Sequence, residues 1–180
     1  MTPVRGRVWR FGDDVDTDAM APWATIAEPF ERRRSQVLRQ RPDFATGVRP
    51  GDVIVAGRNW GCGSSREQAA ENLQLLGVGA VLAASFGRIY FRNAVALAFP
   101  NLVCPDAADA CEDGDEVEVD VASARVRNLT RGTVSAAQPY TADMLAIVEA
   151  GGLIEVLRRR LGRVEGTEGT EAEAHVEVRR

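Results

Sequence analysis

Apolar residues alternate with basic ones from Val4 to Phe11, the two-residue period of a strand with one face exposed. Val53-Ile54-Val55-Ala56 and Val78 to Ala84 are instead continuous apolar runs. That pattern suits strands buried on both faces of a parallel sheet. Ala69, Ala70, Leu73 and Leu76 then recur at helical spacing, which predicts a helix from about 64 to 76 stopped by Gly77. Ser85-Phe86-Gly87 leads from the second run into a helix over about 88–98, Pro100 ends it, and Leu102-Val103-Cys104 makes another short strand. Two strand–helix units with short links predict a right-handed parallel arrangement. Beyond residue 113 the period changes. Gly114 to Val121 alternates strictly, and Ala124 to Leu129 alternates again after a short turn, predicting an antiparallel hairpin. Thr141 to Ala150 reads as a helix capped by Thr141, and Leu153 to Leu161 as a last short helix. No apolar period remains from Gly162 on. One domain over 1–161 and a disordered polar tail over 162–180 are therefore expected.

Residues 19–50 break the pattern. Pro22, Pro29, Pro42 and Pro50 punctuate them, with a short helix expected between Glu31 and Gln40. Arg32, Arg33, Arg34, Arg39 and Arg41 make the segment locally positive. Either this is a solvated helical face, or an arginine reaches an anionic substrate or an acidic partner. Long irregular connections in compact domains are often lids or binding loops.

The stretch Gly57-Arg58-Asn59-Trp60-Gly61-Cys62-Gly63-Ser64-Ser65-Arg66 joins the first buried strand to its helix. A glycine-rich turn that puts two hydroxyls and a guanidinium at a helix start is a cradle for a carboxylate or phosphate. Composition narrows the chemistry such a cradle performs. All 22 basic residues are arginines, so Schiff-base chemistry and a Walker-type loop are excluded. The single histidine, His175, lies in the polar tail, which argues against a Ser-His-Asp hydrolase. Cys62, Cys104 and Cys111 lack metal-ligand spacing and read as free thiols. Cys62 is either a small filler beside glycines or a thiol activated by the nearby helix start. Four aspartates crowd Asp13 to Asp18 without the Gly and Glu of a calcium loop, so a carboxylate-capped turn is expected. The net charge of −4 gives no global attraction to nucleic acid, and no apolar run is long enough for a membrane helix. With no signal-peptide pattern the chain is read as cytoplasmic.

Four segments in this order are recognisable: Phe11-Gly12-Asp13-Asp14-Val15-Asp16-Thr17-Asp18, Gly61-Cys62-Gly63-Ser64-Ser65-Arg66-Glu67, Ser85 to Asn93, and Glu149-Ala150-Gly151-Gly152-Leu153-Ile154. Together they resemble the small subunit of 3-isopropylmalate dehydratase, the stand-alone swivelling domain of the aconitase superfamily. The resemblance implies an α/β fold, a swivelling β/β/α domain with a mixed sheet and flanking helices. It implies a heteromer whose large subunit carries a [4Fe-4S] cluster, with no cofactor on this chain. Self-association of the isolated chain is left open. The implied reaction is dehydration and rehydration of a hydroxy-dicarboxylate, interconverting 2- and 3-isopropylmalate in leucine biosynthesis. By the family pattern Ser64 matches the catalytic base, Asp18 an active-site aspartate, and Thr17, Ser65 and Arg66 substrate contacts. Read from the residues alone, Ser64 is an ordinary N-cap before it is a base. Arg88 and Arg92 are expected in a structural ion pair or a subunit contact.

One segment departs from the family. Relatives often carry a Tyr-Leu-Arg-like loop after Thr-Asp, whereas Pro22 to Arg32 contains no tyrosine and its first arginine is Arg32. An isopropyl group needs an apolar pocket, for which Trp23, Ile26 and Phe30 are the candidates, with Arg32 the nearest cation. A homoaconitase-type enzyme needs another arginine for a third carboxylate. Dimethylmalate- and methylcitrate-type dehydratases remain alternatives, as does a non-catalytic binding module on the same scaffold.

Overall fold

The computed structural model describes residues 1–171, with 163–171 as helix backbone only. Its strands are β1 (Val4–Arg10), β2 (Val53–Ala56), β3 (Ala80–Ala83), β4 (Asn101–Val103), β5 (Glu116–Asp120), β6 (Arg125–Asn128) and β7 (Thr133–Ala136). They form one mixed sheet in the order β4-β3-β2-β1-β5-β6-β7. Strands β1 to β4 run parallel, while β5, β6 and β7 continue antiparallel from the other side of β1. The continuous apolar runs have their expected cause. Val53, Val55, Ala80 and Leu82 point into one core, and Ile54, Ala56, Val81 and Ala83 into the other. Val117, Val119 and Val126 from the antiparallel half share the first of these cores, so the sheet curls over itself.

Helices α4 (Glu67–Leu75) and α5 (Arg88–Ala96) cover the opposite face. So does the irregular segment, through α1 (Thr17–Met20), α2 (Phe30–Arg33), a tight turn at Arg34–Gln36, and α3 (Phe44–Gly47). Met20, Val37, Leu38 and Phe44 from this segment are fully buried in the second core. It is a packed wall rather than a loose flap. The helix expected from Glu31 to Gln40 is cut short because Leu38 turns left-handed (φ 52°) and donates its N–H to the Ala19 carbonyl at 2.7 Å. A left-handed leucine costs about 1–2 kcal/mol, a strain that burial of its side chain offsets.

The short α6 (Ala107–Ala110) packs on the first core, and α7 (Ala142–Ala150) and α8 (Leu153–Glu171) close the chain. Thr141 caps α7 as expected, accepting the Met144 N–H at 3.3 Å. The expected domain boundary at 161 falls inside α8, and the rest of the expected tail, 172–180 with His175, lies outside the described residues. Strand β7 escapes the pattern because it is four residues long and mostly exposed. No helix among the described residues is long and apolar enough to cross a membrane.

Candidate active site

The loops after β1, β2 and β3 meet at the carboxyl ends of the parallel strands, where open α/β sheets form ligand crevices. Backbone bonds stitch them together. Phe11 N–H reaches Val55 O at 2.9 Å, Gly61 N–H reaches Val15 O at 2.8 Å, and Gly87 N–H reaches Trp60 O at 2.8 Å. The aspartates shape this junction, as expected. Asp13 accepts the Arg58 N–H at 2.7 Å, Asp14 accepts the Asn59 amide at 2.8 Å, and Asp16 caps α1 through the Ala19 N–H at 2.8 Å. The Arg58 backbone N–H is also what holds the Asp13 carboxyl below the usual range.

The glycine loop then rises to the surface. Gly61 adopts φ 73° against the ring of Tyr90, and Gly63 adopts φ 96°, conformations that strongly favour glycine. Ser64 and Ser65 are exposed at its crest. They do not stand in the first helical turn as the sequence suggested. Helix α4 begins at Glu67, and its N-cap is Arg66 in an extended conformation with no side-chain bond. Ser64 is therefore not a helix cap, which removes its bland explanation. No side chain caps the start of α4.

Arg66 is mostly buried, with 14% of its side chain exposed. Its guanidinium donates to the Asp18 carboxylate and to the Ala21 carbonyl, the latter at 2.9 Å. It lies 5.7 Å from the centre of the Trp23 ring. Asp18 thus orients the arginine while remaining 61% exposed itself. Thr17, expected to touch substrate, is only 1% exposed. Its hydroxyl donates to the Ser64 carbonyl at 3.0 Å and its N–H to Cys62 O at 2.9 Å. The structure places Thr17 behind the loop, as the strut that fixes Ser64.

The expected specificity residues separate. Trp23 is 73% exposed and lines a cavity of about 630 Å3 together with Asp18, Thr25, Gln36, Arg39 and Gln40. Phe30 packs against the core instead, and Ile26 and Arg32 are not in the cavity wall. Arg39 belongs to the basic segment from which an arginine was a candidate to reach an anionic group, whereas Gln36 and Gln40 carry no such signal in the sequence. Arg88 and Arg92 are exposed, and no ion pair joins either of them among the described residues, so the structural pair expected for them is not found.

Among the described residues no three His, Cys, Asp or Glu side chains converge to hold a metal. The thiols favour the filler reading. Burial, then Asp16 and Asp14, push Cys62 up rather than down. Burial pushes Cys104 up to about 11 and raises Cys111 as well. Near neutral pH all three are thiols, not thiolates. With an aromatic disulfide reagent at pH 7, the native chain should release colour from Cys62 alone, and slowly. Cys104 and Cys111 should react only once denaturant is added; rapid labelling of either in the native state would contradict their burial.

Residues 34–105 match the Aconitase C-terminal domain. Over 158 residues the chain is 46% identical to a 3-isopropylmalate dehydratase small subunit of Methanopyrus kandleri, covering 87% of this chain and 93% of that protein. The chain belongs to the 3-isopropylmalate dehydratase small-subunit family. Family membership extends beyond that one name. A methanogen homoaconitase small subunit of Methanothermobacter thermautotrophicus is also 46% identical, over 92% of this chain and 98% of its own length. The crystal structure of a 3-isopropylmalate dehydratase from Methanocaldococcus jannaschii superposes with a TM-score of 0.84 at 34% identity, covering 92% of this chain and 99% of that one. This is thus the small subunit of an isopropylmalate isomerase- or homoaconitase-type enzyme of the aconitase family.

Proposed function

We propose that the chain delivers a base and a carboxylate clamp to a hydro-lyase that moves a hydroxyl between neighbouring carbons of a hydroxy-polycarboxylate. 2-Isopropylmalate is one such acid and homocitrate-type acids are another; relatives are named for isopropylmalate, for homoaconitase and for citramalate. The observation that carries the reading is the pairing of an exposed, non-capping Ser64 with an Arg66 held in place by Asp18 and Ala21.

On this chain Ser64 Oγ acts as an alkoxide stabilised by the Arg66 charge and the neighbouring loop donors. It takes the proton from the carbon beside a substrate carboxylate. The C–OH bond on the adjacent carbon breaks, its oxygen leaving as hydroxide toward the side the large subunit would supply with a Lewis acid. Ser64 returns the proton to carbon on rehydration. As the proton leaves, charge accumulates on that carboxylate. The Arg66 guanidinium balances it, a role that fixed donors perform better than water because they need no reorganisation. Ser65 and the free α4 N–H groups add donors on the same side. Thr17 holds the Ser64 carbonyl, so the base cannot drift from the clamp. Among the described residues no three ligating side chains converge, and the [4Fe-4S] cluster that the family resemblance implies is assigned to the large subunit.

Purified alone under anaerobic conditions, the chain should be colourless, lack stoichiometric iron and sulfide, and hydrate neither 2-isopropylmaleate nor cis-homoaconitate. Co-expressed with its large subunit, it should yield a coloured complex that hydrates at least one of them, followed by loss of ultraviolet absorbance. A cluster bound to the isolated chain, or a cluster-loaded complex inert toward both acids, would sink the proposal.

A further inference from the structure

We infer that the face formed by α5, α7 and the start of α8 is where the large subunit docks, and that the large subunit meets it with an apolar surface edged by carboxylates. This rests on the active-site reading just proposed, because it takes the crest at Ser64 to be covered by that subunit.

Helix α7 is the first sign. Met144, Leu145, Ile147 and Val148 lie along it among alanines, yet only Val148 is buried. A helix apolar around most of its circumference is normally buried. The next helix continues the surface. Leu153, Ile154, Leu157 and Leu161 are exposed at helical spacing, one stripe along α8. Between α5, α7 and Leu153 lies a groove of about 480 Å3. Ile89, Met144, Ile147 and Leu153 are among its apolar walls, and Arg92 and Asn93 are its polar ones. Single exposed leucines are ordinary, whereas neighbouring apolar side chains gathered around a groove mark an interaction site.

Two observations name the occupant. The first is continuity with the crest. The Gly87 N–H at the start of α5 reaches the Trp60 carbonyl at 2.8 Å, and a Cβ on Gly87 would stand 2.4 Å from the Gly61 carbonyl oxygen. Helix α5 therefore begins packed on the loop that presents Ser64, with Arg88 and Ile89 in its first turn. A subunit seated on the crest meets this helix next, and the groove lies along it. The second observation is charge. Arg88 and Arg92 are exposed one turn apart on α5, with no acidic partner among the described residues. Like charges at that spacing repel in the isolated chain. Carboxylates brought by a partner relieve the repulsion and fix the register of docking. Of the two expectations held for these arginines, the structural ion pair is absent among the described residues and the subunit contact is the one that fits.

The test is anaerobic sedimentation of the full chain with its purified, cluster-loaded large subunit, which reads binding without turnover. Ile147→Glu puts a carboxylate into the groove, and Arg92→Glu reverses one of the free charges. Each should weaken binding roughly ten-fold or more. Val134→Glu, on the exposed strand β7, should leave binding unchanged. Circular dichroism of the isolated chains shows which variants fold; Arg92→Glu, at an exposed position, carries the test should Ile147→Glu unfold. Wild-type affinity in every folded variant of the pair overturns the inference. So does a chain whose self-association Ile147→Glu abolishes while its affinity for the large subunit is kept, which gives the face to a second copy. A complex that both variants weaken, but that hydrates neither 2-isopropylmaleate nor cis-homoaconitate, supports this docking face and sinks the active-site proposal alone.

Discussion

Replacing Ser64 with alanine should lower kcat of the reconstituted enzyme by about a hundred- to ten-thousand-fold, the usual contribution of a positioned base. KM should change little, because Arg66, its Asp18 partner and the α4 N-terminus stay in place. Stability should change little too. Ser64 is exposed and does not cap α4, so the variant loses no cap energy. What anchors the loop at that position is the Ser64 backbone carbonyl, which Thr17 binds and the substitution leaves untouched. The measurement is steady-state hydration of the unsaturated acid, with iron content and the thermal midpoint of the complex as controls. Wild-type turnover in Ser64→Ala would remove the proposed base. A large fall in both kcat and thermal midpoint would instead make Ser64 a structural residue.

Gly61→Ala should destabilise the isolated chain by about 2–5 kcal/mol, combining a left-handed alanine with overpacking of a filled core. A Cβ at Gly61 would stand 2.2 Å from Cγ of Tyr90, and the backbone there has φ 73°. Tyr90 cannot easily yield. It is 1% exposed, and the Phe86 ring lies stacked against it at 6.3 Å. The same residue step places Ser64, so activity of the complex should fall as well. Gly12→Ala is the matched control, since a Cβ there meets nothing within 4 Å and φ is not positive. It should stay within about 0.5 kcal/mol of wild type. Urea unfolding of the three proteins decides the point; equal midpoints for Gly61→Ala and wild type would mean that the loop does not press on Tyr90.

Much of this molecule is legible residue by residue, and the reason is local. A strand buried on both faces must be apolar at every position, so β2 and β3 announce themselves. Glycines 61 and 63 mark a turn because other residues are strained at positive φ. Asp13, Asp14 and Asp16 follow the same logic, since short carboxylates bond nearby backbone and loop amides. Even the family resemblance rests on such short runs. The substrate end of the site is different. Asp18 and Arg66 are 48 residues apart, and Thr17 and Ser64 are 47 apart. Neither pair has any sequence period to betray it. Phe30 looked like a pocket residue because it is apolar and near Trp23, yet the curl of the segment turns it into the core.

By itself, the sequence determined the strand–loop–helix units, the position of the glycine loop, and the absence of lysine and of any cysteine-rich metal motif. Those follow from side-chain chemistry and from periods that each residue expresses with its immediate neighbours. The tertiary structure alone decided that Ser64 lies ahead of α4 rather than capping it, that Thr17 is a buried strut, and that Asp18 holds Arg66. It alone brought Arg39, not Ile26 or Phe30, to the wall beside Asp18. Strand order and the left-handed turn at Leu38 set those juxtapositions, and both are products of how two cores fill at once rather than of any one stretch of chain.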